Sequence, residues 1–248
     1  MVAFNEAENI GPVASETITT LDASPYPYEL ILVDDGSTDS TLDVMRSVAK
    51  KRPGTVRIIK HLKNGGIGRA VRSGFRAARL DWLTLLPADG QVEATEILKL
   101  GSAMEQNDLV ISSYAKRGAV DSPLRMVLSK GLRLLTTAAT GVSDDLGSIY
   151  LFRGELLDST PLTSTSFFVN LELPLRLIIS GHPYVHRLID VKARRSGESK
   201  VVKSSVVKRI AKELFAFRIA LWKERLKPGK PFALADCDWA FEELEPND

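Results

Sequence analysis

"ELILVDDGSTDST", residues 29–41, drives a short apolar run into two adjacent carboxylates, Asp34 and Asp35, and then into a glycine and a string of hydroxyl and acid side chains. A β-branched run bounded by turn formers predicts a strand over 30–33. Ser37, Thr38 or Asp39 can cap the helix that the apolar spacing predicts over 41–51. The two acids therefore fall on the carboxyl end of a strand. Working outward, the same reading predicts strands over 56–60, 82–86 and 109–113 and a helix over 68–79. Strand and helix in alternation imply βαβ units and an open, three-layer α/β sandwich with a mostly parallel central sheet. In such sheets ligands gather at the carboxyl ends of the strands.

A second strand end carries a similar signature. In "LLPADGQ", residues 85–91, Asp89 and Gln91 stand two apart around Gly90, a spacing that can aim two side-chain oxygens at one point. A hard divalent cation that keeps several waters uses such a pair. Either end by itself reads equally well as a strand-to-helix turn. Two acidic ends in one half of a parallel sheet open on the same crevice, where acids can grip ribose and base and hold a metal against a pyrophosphate.

With 248 residues, 44% of them hydrophobic, the chain has enough for one large domain or two small ones with a real core, which excludes disorder as the default. Cys237 is the single cysteine, so no internal disulfide forms. His61, His182 and His186 are too scattered for a zinc site, so any metal needs oxygen ligands. No window reaches the roughly 18–20 unbroken apolar residues of a membrane-spanning helix, and no basic-then-apolar leader is present. A soluble or peripheral protein is expected. The formal net charge of +2 conceals an asymmetry: residues 192–230 carry 13 Lys/Arg against three Glu, and residues 236–248 carry six acids and no base. Such a basic segment suits an anionic membrane, a phosphate-bearing substrate or nucleic acid, and equally a solvated helix face. No nucleic-acid module accompanies it and few aromatics are available for base stacking, so no nucleic-acid partner is expected.

The runs "AFNEAENI" (3–10), "ILVDDGSTDST", "KNGGIGRAVRSGF" (63–75) and "LLPADGQ" together resemble family 2 glycosyltransferases of the GT-A fold. The stretches "RGAVDSPLRMVLSKGL" (117–132), "DDLGSIYLFR" (144–153), "NLELPLRLIISG" (170–181) and "RRSGESK" (194–200) are similar to the subgroup of dolichyl-phosphate mannosyltransferase and bacterial polyprenyl-phosphate glycosyltransferases. The resemblance covers roughly residues 1–203. It implies a Rossmann-like α/β/α domain over 1–202, followed over 203–248 by a C-terminal amphipathic basic helix and an acidic tail.

The resemblance also assigns roles. Asn5, Glu6, Asp34, Asp35, Lys63, Asn64 and Arg69 would bind the donor nucleotide, with Glu172 and Asp145 lining the sugar pocket. Asp89 and Gln91 would position Mg²⁺ or Mn²⁺. Arg117, Arg125, Ser129 and Ser199 would hold the acceptor phosphate, Arg being suited to bidentate phosphate contact. Arg195 and Lys200 would neutralise the leaving group. By the residues alone, Asp145 can equally cap a turn and Glu172 can pair with Arg176.

Two departures stand out. Pro87 occupies the place where the family has the first Asp of its metal pattern, which leaves fewer protein oxygens for the cation. Only Met1 to Phe4 precede Asn5, so either the start lies upstream or the first strand is short. The implied chemistry is inverting transfer from a UDP- or GDP-sugar to a polyprenyl phosphate, whose oxygen needs no base. A glycan, metabolite or protein hydroxyl would need one, with Asp145 the first candidate. A nucleotide-sugar-binding protein without transfer is the third reading, favoured by Pro87. Over 203–227, Val207, Ile210, Leu214, Phe217 and Leu221 recur at helical spacing among basic residues, with Trp222 at the edge. Such a stripe packs on its own domain, on a second copy of the chain, or peripherally on the cytoplasmic face of a membrane.

Overall fold

The computed structural model describes residues 1–114, 123–146, 149–192, 204–226 and 241–244, with side chains throughout except at 123–128, 204–208, 224–226 and 241. Strands β1 (Val2–Ala3), β2 (Leu30–Asp34), β3 (Val56–His61), β4 (Trp82–Thr84) and β5 (Leu109–Tyr114) alternate with helices α1 (Ala7–Asp22), α2 (Thr41–Lys50), α3 (Ile67–Ala77) and α4 (Ala94–Gly101). Helix α5 (Pro123–Thr140), β6 (Tyr150–Arg153), α6 (Val169–Ile179), β7 (Tyr184–Ile189), α7 (Ser204–Leu226) and β8 (Phe241–Leu244) complete the described order. The elements expected from the opening stretch stand where the spacing puts them, each within a residue or two at its ends.

Strands buried on both sides read as unbroken apolar runs, and these do so because helices cover both faces. Leu32, Ile58, Val110 and Leu151 face the layer of α1, α2 and α4, where Ile10, Met45 and Leu100 pack on them. Leu109, Ile111 and Phe152 face the opposite layer, against Phe75 of α3 and Leu173 of α6. This is the three-layer arrangement expected.

The strand pairing differs from the mostly parallel sheet that alternation implies. The strands form two four-stranded sheets, β1-β2-β3-β8 and β4-β6-β5-β7. β1–β2, β2–β3 and β5–β7 are parallel, whereas β3–β8, β4–β6 and β5–β6 are antiparallel. The break between the sheets falls beside β1, which is only two residues long and ladders with β2 alone among the described strands. A largely apolar cavity of about 310 Å³ lies there, lined by Val33, Phe75, Leu83, Leu85, Met104 and Leu151 among others.

The C-terminal segments close onto the same body. Ile210, Leu214 and Phe217 of α7 are buried against Phe168 and Leu175, and Leu221 packs at the cluster's edge. The stripe read from the sequence is therefore an internal contact where its side chains are described, and Val207 lies outside those side chains. β8 adds to the free edge of β3, held by Arg57, which bridges Glu29 at 2.9 Å and Glu243 through Nε at 2.6 Å. No helix among the described residues is long and apolar enough to cross a membrane.

Candidate active site

The opening acids sit at the carboxyl end of β2, almost wholly buried, and do different work. Asp34 Oδ1 accepts the Ser37 N–H at 3.1 Å, closing the turn into α2. Asp35 reaches sideways instead: Oδ1 takes the Gly65 N–H at 2.9 Å and Oδ2 the Gly66 N–H at 2.9 Å. Behind it, His61 Nδ1 lies 2.7 Å from Oδ1, and His61 Nε2 lies 2.9 Å from Ser73 Oγ on α3. Asp35 thus fastens the glycine-rich segment, with Lys63 and Asn64 exposed and Arg69 half-buried on it, to the strand end.

Gly36 shows how tight the join is. Its φ is +71°, and a Cβ there would stand 2.5 Å from the carbonyl carbon of Lys63 and 2.6 Å from the Asn64 nitrogen. Gly36→Ala is expected to cost about 3 kcal/mol from left-handed strain plus overpacking, read as a lowered denaturation midpoint in urea.

The loop after β1 zips onto the same turn. Asn5, itself at φ 53°, donates its N–H to Ser37 Oγ at 3.0 Å and accepts the Thr38 N–H on Oδ1 at 2.9 Å. Glu6 donates its N–H to Thr41 Oγ1 at 2.9 Å, while its Oε2 accepts from Asn9 Nδ2 at 2.9 Å. The donor-side residues Asn5, Glu6, Asp34, Asp35, Lys63, Asn64 and Arg69 are therefore brought onto one rim.

At the end of β4, Asp89 and Gln91 form a half-buried turn around Gly90, whose φ is +69°. Asp89 Oδ1 accepts the Gln91 N–H at 3.1 Å. The Gln91 carbonyl accepts the Lys192 N–H at 2.8 Å, and Gln91 Nε2 donates to the Lys192 carbonyl at 3.4 Å. That use of Nε2 fixes which end of the Gln91 amide is oxygen. Among the described residues no three His, Cys, Asp or Glu side chains converge as a metal site. Asp89 and Gln91 fit a cation that takes one or two protein oxygens and completes its shell with phosphate and water. They do not fit one that needs an all-protein cage.

On the acceptor side, Asp144 and Asp145 lie half-buried after α5. Asp144 is held by Tyr184 Oη at 3.1 Å and lies 3.2 Å from His186 Nε2, whose Nδ1 is 3.0 Å from Ser113 Oγ. Burial and the hydrogen bond to Asp144 raise the Tyr184 phenol above its ordinary pKa. This chain fixes the turn that carries Asp145. Ser129 is half-buried on α5, and Arg125 lies on the same helix with its side chain outside those described. Arg117, Arg195, Ser199 and Lys200 lie outside the described residues.

The expected sugar-pocket position of Glu172 is corrected. Its side chain is fully buried on α6, where it accepts the Thr163 N–H at 3.0 Å, Thr163 Oγ1 at 2.8 Å and the Ser164 N–H at 2.8 Å, with Arg176 Nε at 3.5 Å. These donors consume the carboxylate inside the protein. Burial and the Glu172 charge together push the Tyr150 phenol well above its usual pKa.

A family model described as glycosyl transferase family 2 matches residues 1–158. The chain belongs to that family. Among curated relatives, this glycosyltransferase is 27% identical to a dolichyl-phosphate beta-glucosyltransferase of Trichomonas vaginalis, over 93% of the chain and 74% of the relative. It is 29% identical to a dolichol-phosphate mannosyltransferase of Pyrococcus furiosus, over 80% of the chain and 57% of that protein. An undecaprenyl-phosphate 4-deoxy-4-formamido-L-arabinose transferase of Proteus mirabilis is 32% identical over 63% of the chain and 48% of its own length. The chain thus spans about three-quarters of the first relative and about half of the others. The fold is GT-A: a glucosyl-3-phosphoglycerate synthase of Mycobacterium tuberculosis, crystallised with Mn²⁺, UDP-glucose and phosphoglyceric acid, superposes with a TM-score of 0.68 at 20% identity, over 88% of this chain and 77% of that one.

Sequence reasoning missed His61, Ser113, Asp144, Tyr184 and His186. His61 alone had a local signal, closing a strand whose end faces the Asp35 strand end.

Proposed function

We propose that this glycosyltransferase moves a sugar from a UDP- or GDP-sugar to a polyprenyl phosphate at a membrane surface. One observation carries the acceptor. The relatives' names differ in sugar, from glucose and mannose to galacturonate and a formamido-arabinose, yet each names a polyprenyl-type phosphate. A shared acceptor with varied donors is what a common acceptor half and a variable sugar pocket produce.

In this reading a phosphate oxygen of the acceptor forms a bond to the anomeric carbon, the bond from that carbon to the donor diphosphate breaks, and configuration inverts. The acceptor is anionic at neutral pH, so no side chain need remove a proton; the protein's contribution is positioning and charge neutralisation. Asp34 and the Asp35-held segment 63–69 receive the nucleoside, while Arg117, Arg125, Ser129 and Ser199 hold the acceptor phosphate. Asp145 orients the sugar, and Arg195 and Lys200 neutralise the departing diphosphate. Asp89 and Gln91 hold Mg²⁺ or Mn²⁺, which when bound supplies charge neutralisation to that diphosphate. The Lys192–Gln91 pairing supports this grouping, because residues 193–200 follow directly from Lys192.

The membrane seat is supported by the outer surface of α5 and α7. Leu134 (71% exposed), Leu135, Phe215 (68%), Ile219 and Trp222 present large apolar side chains to solvent. Exposed Lys130, Arg133, Arg209, Lys212, Arg218 and Lys223 share those helices. Apolar bulk beside fixed positive charge suits an anionic leaflet. A Phe215→Ser, Trp222→Ser protein is expected to bind vesicles containing phosphatidylserine at least about tenfold more weakly, since each side chain contributes on the order of 1 kcal/mol or more on burial. Co-sedimentation of both proteins measures this; equal binding removes the membrane seat.

The deciding experiment is transfer from a panel of UDP- and GDP-sugars to a short polyprenyl phosphate, with product read by mass in the organic extract. A sugar-phospholipid names the donor. Nucleotide release without that product moves the acceptor to a hydroxyl, and no release leaves a binding protein.

A further inference from the structure

Residues 162–166 form a strap that nearly every neighbour grips. From α6, Glu172 holds the N–H groups of Thr163 and Ser164. From α3, the buried Arg72 guanidinium donates to the Ser164 carbonyl. The Gly68 N–H, at the start of α3, donates to the Thr165 carbonyl at 3.2 Å. From α7, Glu213 accepts Ser164 Oγ at 2.7 Å and Ser166 Oγ at 2.6 Å, with Thr165 Oγ1 at 3.4 Å. Glu213 is the one acid among the α7 residues whose side chains are described, on a helix otherwise rich in Lys and Arg. Packing does not need a carboxylate there; the strap hydroxyls do.

The strap meets the nucleotide segment with no slack. A Cβ on Gly66 would stand 2.8 Å from the Thr165 carbonyl oxygen, and one on Gly68 would stand 2.7 Å from Thr165 Cα. The segment 65–69 is thus held between two fixed bodies. Asp35 grips Gly65 and Gly66 from the strand end, and the strap presses on Gly66 and Gly68 from the other side. We propose that Glu213 is a positioning residue for the nucleotide-binding segment, acting through the strap and tying the seat of α7 to the donor site. This rests on the donor role of segment 65–69 given above.

The test uses the full chain in three variants: Glu213→Ala, Glu213→Gln and Leu214→Ala, the last loosening α7 while leaving the carboxylate. Amide hydrogen exchange at residues 65–69 is measured without nucleotide, and UDP and GDP are titrated with Mg²⁺. Glu213→Ala is expected to speed exchange at 65–69 by about tenfold and to weaken nucleotide binding by a similar factor, a coupling of ordinary size for groups sharing one hydrogen-bond network. Glu213→Gln, which keeps an acceptor oxygen, restores most of both. Leu214→Ala lowers the thermal midpoint at least as much yet leaves exchange at 65–69 within about twofold, as expected of a site outside that network. Unchanged exchange in Glu213→Ala, or the same acceleration in Leu214→Ala, overturns the assignment. If Glu213→Ala speeds exchange while the wild-type chain binds neither nucleotide, the donor reading falls and the positioning role stands.

Discussion

Transfer by the Asp89→Ala protein is expected to fall about a thousandfold, equivalent to about 4 kcal/mol of transition-state stabilisation. Asp89 stands on a half-buried turn at the carboxyl end of β4, and its visible structural duty is one hydrogen bond, from the Gln91 N–H. Losing that bond costs about 1 kcal/mol of fold stability. The large term is catalytic. With Pro87 in place of the family's first metal-pattern acid, Asp89 is the one carboxylate of the 85–91 run, and Gln91 is a neutral ligand that cannot make up the charge. Initial rates over a Mg²⁺ and Mn²⁺ series, beside a urea melt, separate the two effects. A turnover within tenfold of wild type at saturating metal removes Asp89 from the reaction.

What the sequence made legible followed from local chemistry. Residues 29–41 place Asp34 and Asp35 at a strand end because an apolar run must end where polar turn formers begin, and α2 starts at Thr41 as the capping residues require. β3 and β5 were legible for the same reason: burial on both faces leaves an apolar run with no alternation. Pairing was not local. The antiparallel β6 inserts between β4 and β5, and nothing in "YLFR" specifies direction or partner. β8 arises in a stretch that reads as an acidic tail because Arg57, 186 positions away, supplies the charge that makes Glu243 tolerable beside β3.

The site divides along the same line. Asp35, Asp89 and Gln91 were legible as polar groups at strand ends, but not that Asp35 spends itself on backbone amides of the glycine segment. The α7 stripe has the period of an amphipathic helix, and period alone does not say which body receives it; Phe168 and Leu175 do. The outward row of Phe215, Ile219 and Trp222 escapes a search for one stripe because apolar residues then occupy two sides of the helix.

Glu172 shows how a resemblance and a structure can assign one acid opposite duties, and its replacement decides between them. Glu172→Ala is expected to destabilise the fold by about 4 kcal/mol, since removing one member of a buried, hydrogen-bonded ion pair leaves the other uncompensated. Arg176 is 5% exposed and would lose its counter-charge, while the amides of Thr163 and Ser164 would lose their acceptor in a dry interior. Glu172→Gln should fare little better: its amide keeps one acceptor oxygen but turns an NH₂ toward N–H donors and carries no charge for Arg176. A residue that touched the sugar would behave in the reverse way, with turnover lost and the urea midpoint unmoved. The buried carboxylate instead predicts a lowered midpoint, with nucleotide binding weakened at 25 °C only as far as the strap it holds is loosened against Gly66 and Gly68.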